Sequence, residues 1–160
     1  MLFKNIEVNG LKIFYREAGK PTAPKLVLLH GFPASSHQYR NLIPALAEDF
    51  HVIAPDYPGF GNSDMPDPKT FAYTFDKTSE IIESFLEKVG FDRFGLYLQD
   101  YGGPVGFRIV TRRPDWLEWL IIQNTTPTRS VSRPSGTVCA VRTGRAGRRR
   151  PRSRSKRSSS

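Results

Sequence analysis

Four short runs of almost unbroken apolar residues recur along the chain. Each leads through a turn into a segment of different character. The runs are Lys25–Leu29, His51–Ala54, Phe94–Gln99 and Leu117–Gln123. A strand with one wet face alternates apolar and polar residues, whereas a run such as KLVLL is consistent with a strand covered on both faces. Between the runs lie stretches of helical period. Ser36–Glu48 carries Tyr39, Leu42, Ile43 and Leu46 at helical spacing, although Pro44 should kink that helix or mark a new start. Phe75–Val89 sets Ile81, Ile82, Phe85, Leu86 and Val89 on one face, with Gly90 as its stop. Gly103–Arg113 has Pro104 in its first turn, where a missing N–H costs nothing, and Pro114 just after its end.

Upstream, Phe3–Val8 and Leu11–Arg16 flank Asn9-Gly10, a pair suited to the tight turn of a hairpin. The order is therefore a hairpin followed by β-α-β-α-β-α-β. That order predicts an α/β fold, a mainly parallel sheet with helices on both faces and right-handed crossovers. Ligands of such sheets bind beyond the carboxyl ends of the strands. Three loops qualify: 30–35, 55–65 and 99–104.

Charge divides the chain in two. Residues 1–128 hold 13 Lys+Arg against 15 Asp+Glu, while residues 129–160 hold 11 Lys+Arg and no acid. The formal net charge of +9 thus belongs to the tail, and the body carries no nucleic-acid signal. A single cysteine, Cys139, excludes a disulfide within the chain. The first residues carry no secretory pattern, and no apolar run reaches the ~18–20 residues that span a bilayer. A cytoplasmic, soluble protein without membrane association is the expectation.

The three loops carry motifs. Leu29-His30-Gly31-Phe32-Pro33 follows one buried strand, Asp56-Tyr57-Pro58-Gly59-Phe60-Gly61-Asn62-Ser63 the next, and Leu98-Gln99-Asp100-Tyr101-Gly102-Gly103 joins a strand to a helix. In that order they resemble the HG-x-P oxyanion loop, the D-x-x-G-x-G-x-S loop and the nucleophile elbow of the α/β-hydrolase superfamily. The resemblance covers residues 1–127. It is nearest to epoxide hydrolase and haloalkane dehalogenase-like members, in which aspartate rather than serine is the nucleophile. The apolar Leu98, where esterases of the G-x-S-x-G form have glycine, points to the same subgroup.

The resemblance implies a hydrolase with Asp100 as catalytic nucleophile, attacking an sp³ carbon to give an alkyl-enzyme ester. The backbone N–H groups of Phe32 and Tyr101 would form the oxyanion hole for hydrolysis of that ester. His30, Gly31 and Pro33 would be structural in the oxyanion loop, and Gly102 and Gly103 would allow close packing at the elbow. Asp56 and Ser63 would also be structural. Two readings of single residues stay open at this point. Asp100 could be no more than a helix N-cap, and His30 could be a base. His37 and His51 read as ordinary surface or core residues, and Tyr97, Trp116 and Trp119 as core or interface aromatics.

Dehalogenases resembling this chain hold the halide with a tryptophan after the nucleophile and often a second N–H donor after His-Gly. Tyr101 offers only a hydroxyl there and Phe32 no side-chain donor, so epoxide-type hydrolysis is favoured. The expected partner is a small-molecule substrate, with no cofactor and no metal.

The family's lid, second acid and catalytic histidine follow the strand that ends near Gln123. Here no histidine follows His51 and no acid follows Glu118. The expectation is a truncated, turnover-deficient α/β-hydrolase domain over 1–127 and a disordered Arg/Ser-rich tail over 128–160, the latter read as a frameshift product. Nucleic acid could bind only through that tail. Leu117–Ile122, left as an open apolar edge, would invite self-association.

Overall fold

The computed structural model describes residues 1–125 and the strand Val138–Arg142. The hairpin is β1 (Leu2–Val8) and β2 (Leu11–Ala18), with Asn9 and Gly10 at φ 51° and 78° in the turn between them. The strands β3 (Lys25–Leu29), β4 (His51–Pro55), β5 (Phe94–Gln99) and β6 (Leu117–Gln123) follow, and β7 is Val138–Arg142. They form one seven-stranded sheet in the order β1-β2-β4-β3-β5-β6-β7. The pairs β4–β3, β3–β5 and β5–β6 are parallel, and the hairpin joins β4 antiparallel.

The runs of β3, β4 and β5 are largely buried on both faces, whereas in β6 only Leu120 is buried and the rest are half-buried. Leu26, Val27, Leu28 and Leu29 are all within 1% of complete burial. Alternation sends Val27 and Leu29 to one face, where they join Leu96, Leu98 and the apolar sides of α2 (Phe75–Lys88) and α3 (Gly102–Arg112). Leu26 and Leu28 go to the other, where Tyr39 and Ile43 cover them. Each such fully buried aliphatic contributes roughly 1.5–3 kcal/mol.

The segment 36–48 is broken, and Pro44 marks the new start that its chemistry demands. A 3-10 turn over Ser36–Tyr39 ends before α1 (Leu42–Leu46), whose first turn contains Pro44. Helix α2 is capped by the Thr74 hydroxyl, which accepts from the Lys77 N–H. Helices α2 and α3 are tied by ion pairs of Glu83 to Arg112 and Arg113, and of Asp76 to Arg108.

The open edge expected along Leu117–Ile122 is not found. Strand β7 pairs antiparallel with β6 from Trp119↔Arg142 to Gln123↔Val138, so β6 lies inside the sheet. The β-prone run Val138–Val141 supplies the ladder partner that the apolar strand lacks otherwise. The rest of the tail read as disordered lies outside the described residues. No helix among the described residues is long and apolar enough to cross a membrane.

Candidate active site

Parallel strands β3 and β5 deliver their loops to the same end of the sheet, side by side. Their register ends at Leu29↔Leu98. Beyond it, the backbone of Asp100 turns to φ 50°, a left-handed conformation that a non-glycine residue adopts only where its surroundings enforce it. The surroundings here are tight. A Cβ on Gly31 would lie 2.7 Å from the Cβ of Asp100, and a Cβ on Gly102 would lie 2.9 Å from the carbonyl carbon of Leu29. On Gly103 it would run into the side chain of Thr125. Small residues are needed at these positions because strand, turn and helix approach more closely than a methyl group allows.

The Asp100 carboxylate points away from its own helix. The N-cap residue of α3 is Tyr101, which makes no side-chain cap, so Asp100 is not the capping residue. Instead the Phe32 N–H donates to Asp100 Oδ1 at 2.8 Å. The Asp100 carbonyl accepts from the Gly103 N–H at 3.0 Å and from the Thr125 hydroxyl at 2.5 Å. Asp100 is half-buried, and the exposed rings of Phe32 and Tyr101 stack beside it at 5.2 Å. Phe60 and Phe75 meet those rings edge-on. Pro33, joined to Phe32 by a cis peptide bond, is exposed at the loop's outer side.

His30 is fully buried behind this group and its two ring nitrogens are both occupied. Nδ1 lies 2.9 Å from the Gly31 carbonyl, which can only accept, and Nε2 lies 3.4 Å from the Tyr57 N–H, which can only donate. The ring is therefore neutral with its proton on Nδ1. It stacks on Tyr57 at 4.0 Å. Burial lowers its pKa, against smaller opposing effects of the Gly31 carbonyl and the Asp56 charge. A ring so engaged holds the loop in place and is not a free base.

Asp56, at the end of β4, is also fully buried. Its Oδ1 accepts from the Ser36 N–H at 2.7 Å and its Oδ2 from the Asn62 N–H at 2.9 Å. Ser63 donates its hydroxyl to the Asp56 carbonyl and accepts from the Phe14 N–H. These residues fix the loop 56–64, as the motif implied.

The structure places Asp100, Phe32, Tyr101, Gly31 and Gly102 beside one another. Sequence reasoning missed Thr125 and Arg16. Thr125 reaches Asp100 only through the pairing of Gln99 with Gln123 across β5 and β6, which no local pattern announces. Arg16 is buried and donates to the Ser36 hydroxyl, and nothing in the local pattern of β2, which also carries Lys12 and Glu17, sets it apart.

The α/β hydrolase fold family matches residues 24–136, which include all three loops. The chain belongs to the α/β hydrolase fold family. Among curated members, an uncharacterized hydrolase of Saccharomyces cerevisiae is 45% identical over 123 residues, covering 76% of this chain. A haloalkane dehalogenase of Bradyrhizobium diazoefficiens is 40% identical over 71% of the chain, and a soluble epoxide hydrolase of Corynebacterium is 38% identical over 75%. The chain spans only 36–42% of the length of these relatives. Among solved α/β hydrolases, haloalkane dehalogenase DbeA from Bradyrhizobium elkani superposes with a TM-score of 0.74 at 32% identity, over 78% of this chain and 42% of that one.

Proposed function

We propose that Asp100 is the nucleophile of a hydrolase that works through an alkyl-enzyme ester, of the epoxide or haloalkane type. One observation carries the reading: a carboxylate at positive φ on a strand-to-helix turn, turned toward the backbone N–H of Phe32 rather than toward its own helix. The two carboxylate oxygens then have different tasks. Oδ1 is held by the Phe32 N–H, which leaves Oδ2 to attack. Attack of Oδ2 on an epoxide carbon forms the ester C–O bond and breaks the ring C–O bond, and the released alkoxide takes a proton from water. With a haloalkane the halide leaves instead. When water later adds to Cγ, negative charge gathers on Oδ1, which already faces a donor; the Tyr101 N–H is assigned as the second one.

Opening an epoxide is favoured over halide release. Phe32 offers no side-chain donor and Tyr101 only its hydroxyl, so neither supplies the N–H groups that would hold a departing halide. Hydrolysis of the ester needs a base, and the chain's three histidines are committed elsewhere. His30 is locked as described, His37 Nδ1 accepts from Arg16 at 3.2 Å, and His51 pairs with Glu17 at 2.7 Å at the opposite end of β4. The expected behaviour is one turnover that stops at the ester. Incubation with an alkyl epoxide should open about one equivalent per chain and then cease. Sustained turnover by pure protein, or no ring opening by a folded sample, would overturn the reading.

A second reading rests on charge alone. Residues 129–160 hold 11 Lys+Arg and no acid, the composition of a segment that binds nucleic acid through phosphates in a non-catalytic protein. Such binding would weaken steeply with salt and vanish on deletion of 129–160. Salt-insensitive binding kept by residues 1–128 would reject it.

A further inference from the structure

The contact between the Phe32 N–H and Asp100 spans a gap that the sheet does not close. Strands β3 and β5 are hydrogen-bonded only as far as Leu29 and Leu98. Past that point no ladder hydrogen bond joins the oxyanion loop to the nucleophile turn, although Gly31 packs directly against Gln99 and Asp100. A side chain from a third element crosses the gap. Gln38 Nε2 donates to Gln99 Oε1 at 3.2 Å, and Gln38 Oε1 faces the Gly31 N–H at 3.5 Å. Gly31 leaves room for the Gln99 side chain, which occupies the space that a Cβ at position 31 would take.

Gln38 is itself held rigidly. It sits in the 3-10 turn Ser36–Tyr39, with a fixed residue on either side. Ser36 is buried, donates its N–H to Asp56 and accepts from Arg16 at 3.0 Å. Tyr39 is buried and donates its hydroxyl to the Leu29 carbonyl at 2.8 Å, the last rung of the β3 ladder. The amide of Gln38 is thus fixed relative to the sheet and touches both loops at once.

We infer that the Gln38–Gln99 amide pair is a positioning device, which holds the oxyanion loop in register with the nucleophile turn so that the Phe32 N–H faces Asp100. Its kinetic consequence rests on Asp100 being the nucleophile; its structural consequence does not. Methionine at either position keeps side-chain length and volume and removes the amide.

The test compares the full chain with Gln38→Met and Gln99→Met, two independent ways of cutting one bridge. The first readout is hydrogen exchange of the Phe32 amide by NMR. It should quicken about tenfold in both variants, while the amides of Leu28 and Leu96 keep their protection. The second is ester formation with an alkyl epoxide. Its maximal rate should fall about tenfold with the half-saturating concentration unchanged, as expected of lost alignment rather than lost binding. The double variant should be no slower than the worse single one. Unchanged Phe32 exchange in both variants overturns the inference whatever the kinetics. Quickened exchange in a chain whose wild type forms no ester keeps the positioning pair and discards the nucleophile. Ester formation at full rate in both variants keeps the nucleophile and discards the pair.

Discussion

Two aspartates stand at the carboxyl ends of parallel strands on either side of β3, and their surroundings give them opposite fates. Asp56 follows β4 and is fully buried, with each carboxylate oxygen taken by a backbone N–H. Asp100 follows β5, is half-buried, and has one oxygen held while its backbone is forced to positive φ. A carboxylate whose lone pairs are spent on the backbone organises a loop. One that is anchored by a single donor and turned to the rim retains an oxygen for chemistry. Residue type and position in the fold are shared, so accessibility and hydrogen-bond saturation make the difference.

The strongest way to break this contrast is to remove each carboxylate in turn. Asp56→Ala should lower the unfolding free energy by about 3 kcal/mol, because it strands the buried N–H of Ser36 and removes the anchor of the Asn62 N–H. Asp100→Ala should change it by less than about 1 kcal/mol, because the carboxylate removed is partly solvated and accepts a single backbone hydrogen bond. Urea unfolding of both variants measures the difference, and equal losses would erase the distinction. Next in size, Gly102→Ala should cost about 2 kcal/mol, since the new methyl meets the Leu29 backbone, which cannot move without the sheet. A loss near zero would mean that the turn is looser than the contacts indicate.

Much of this contrast could be read from the chain. The apolar runs and their order pointed to the parallel sheet, and β3 and β4 are covered on both faces as such runs suggest. The three loops could be located because topology places ligands at strand ends, and the glycines after Asp100 signalled close approach. What could not be read depends on register between segments far apart in sequence. Thr125 meets Asp100 across 25 residues and Gln38 meets Gln99 across 61. The capping of β6 by Val138–Arg142 escaped for a related reason. A short β-prone run has a partner only once the sheet beside it exists.

Smaller effects sharpen the account. Thr125→Val removes the hydroxyl that binds the Asp100 carbonyl and should cost about 1 kcal/mol, with slower ester formation. Thr125→Ser should retain most of both, and equal losses in the two variants would point to packing instead. The smallest effect concerns protons. His30 is held below its ordinary pKa of 6.5, chiefly by burial. The unfolded chain therefore binds a proton near that pH that the folded chain refuses, so stability falls as pH drops below it. The imidazole carbon resonances of His30 should stay at neutral-ring positions at pH 6, and an ordinary titration there would contradict the buried, Nδ1-protonated ring.

As proposed, Asp100 is a nucleophile and Asp56 is not. Peptide mapping by mass spectrometry after treatment of the folded chain with an alkyl epoxide tests it most directly. A base-labile alkyl ester is expected on Asp100, none on Asp56, and none after Asp100→Asn. An unmodified Asp100 in a folded chain, or an ester that persists in the asparagine variant, would contradict it.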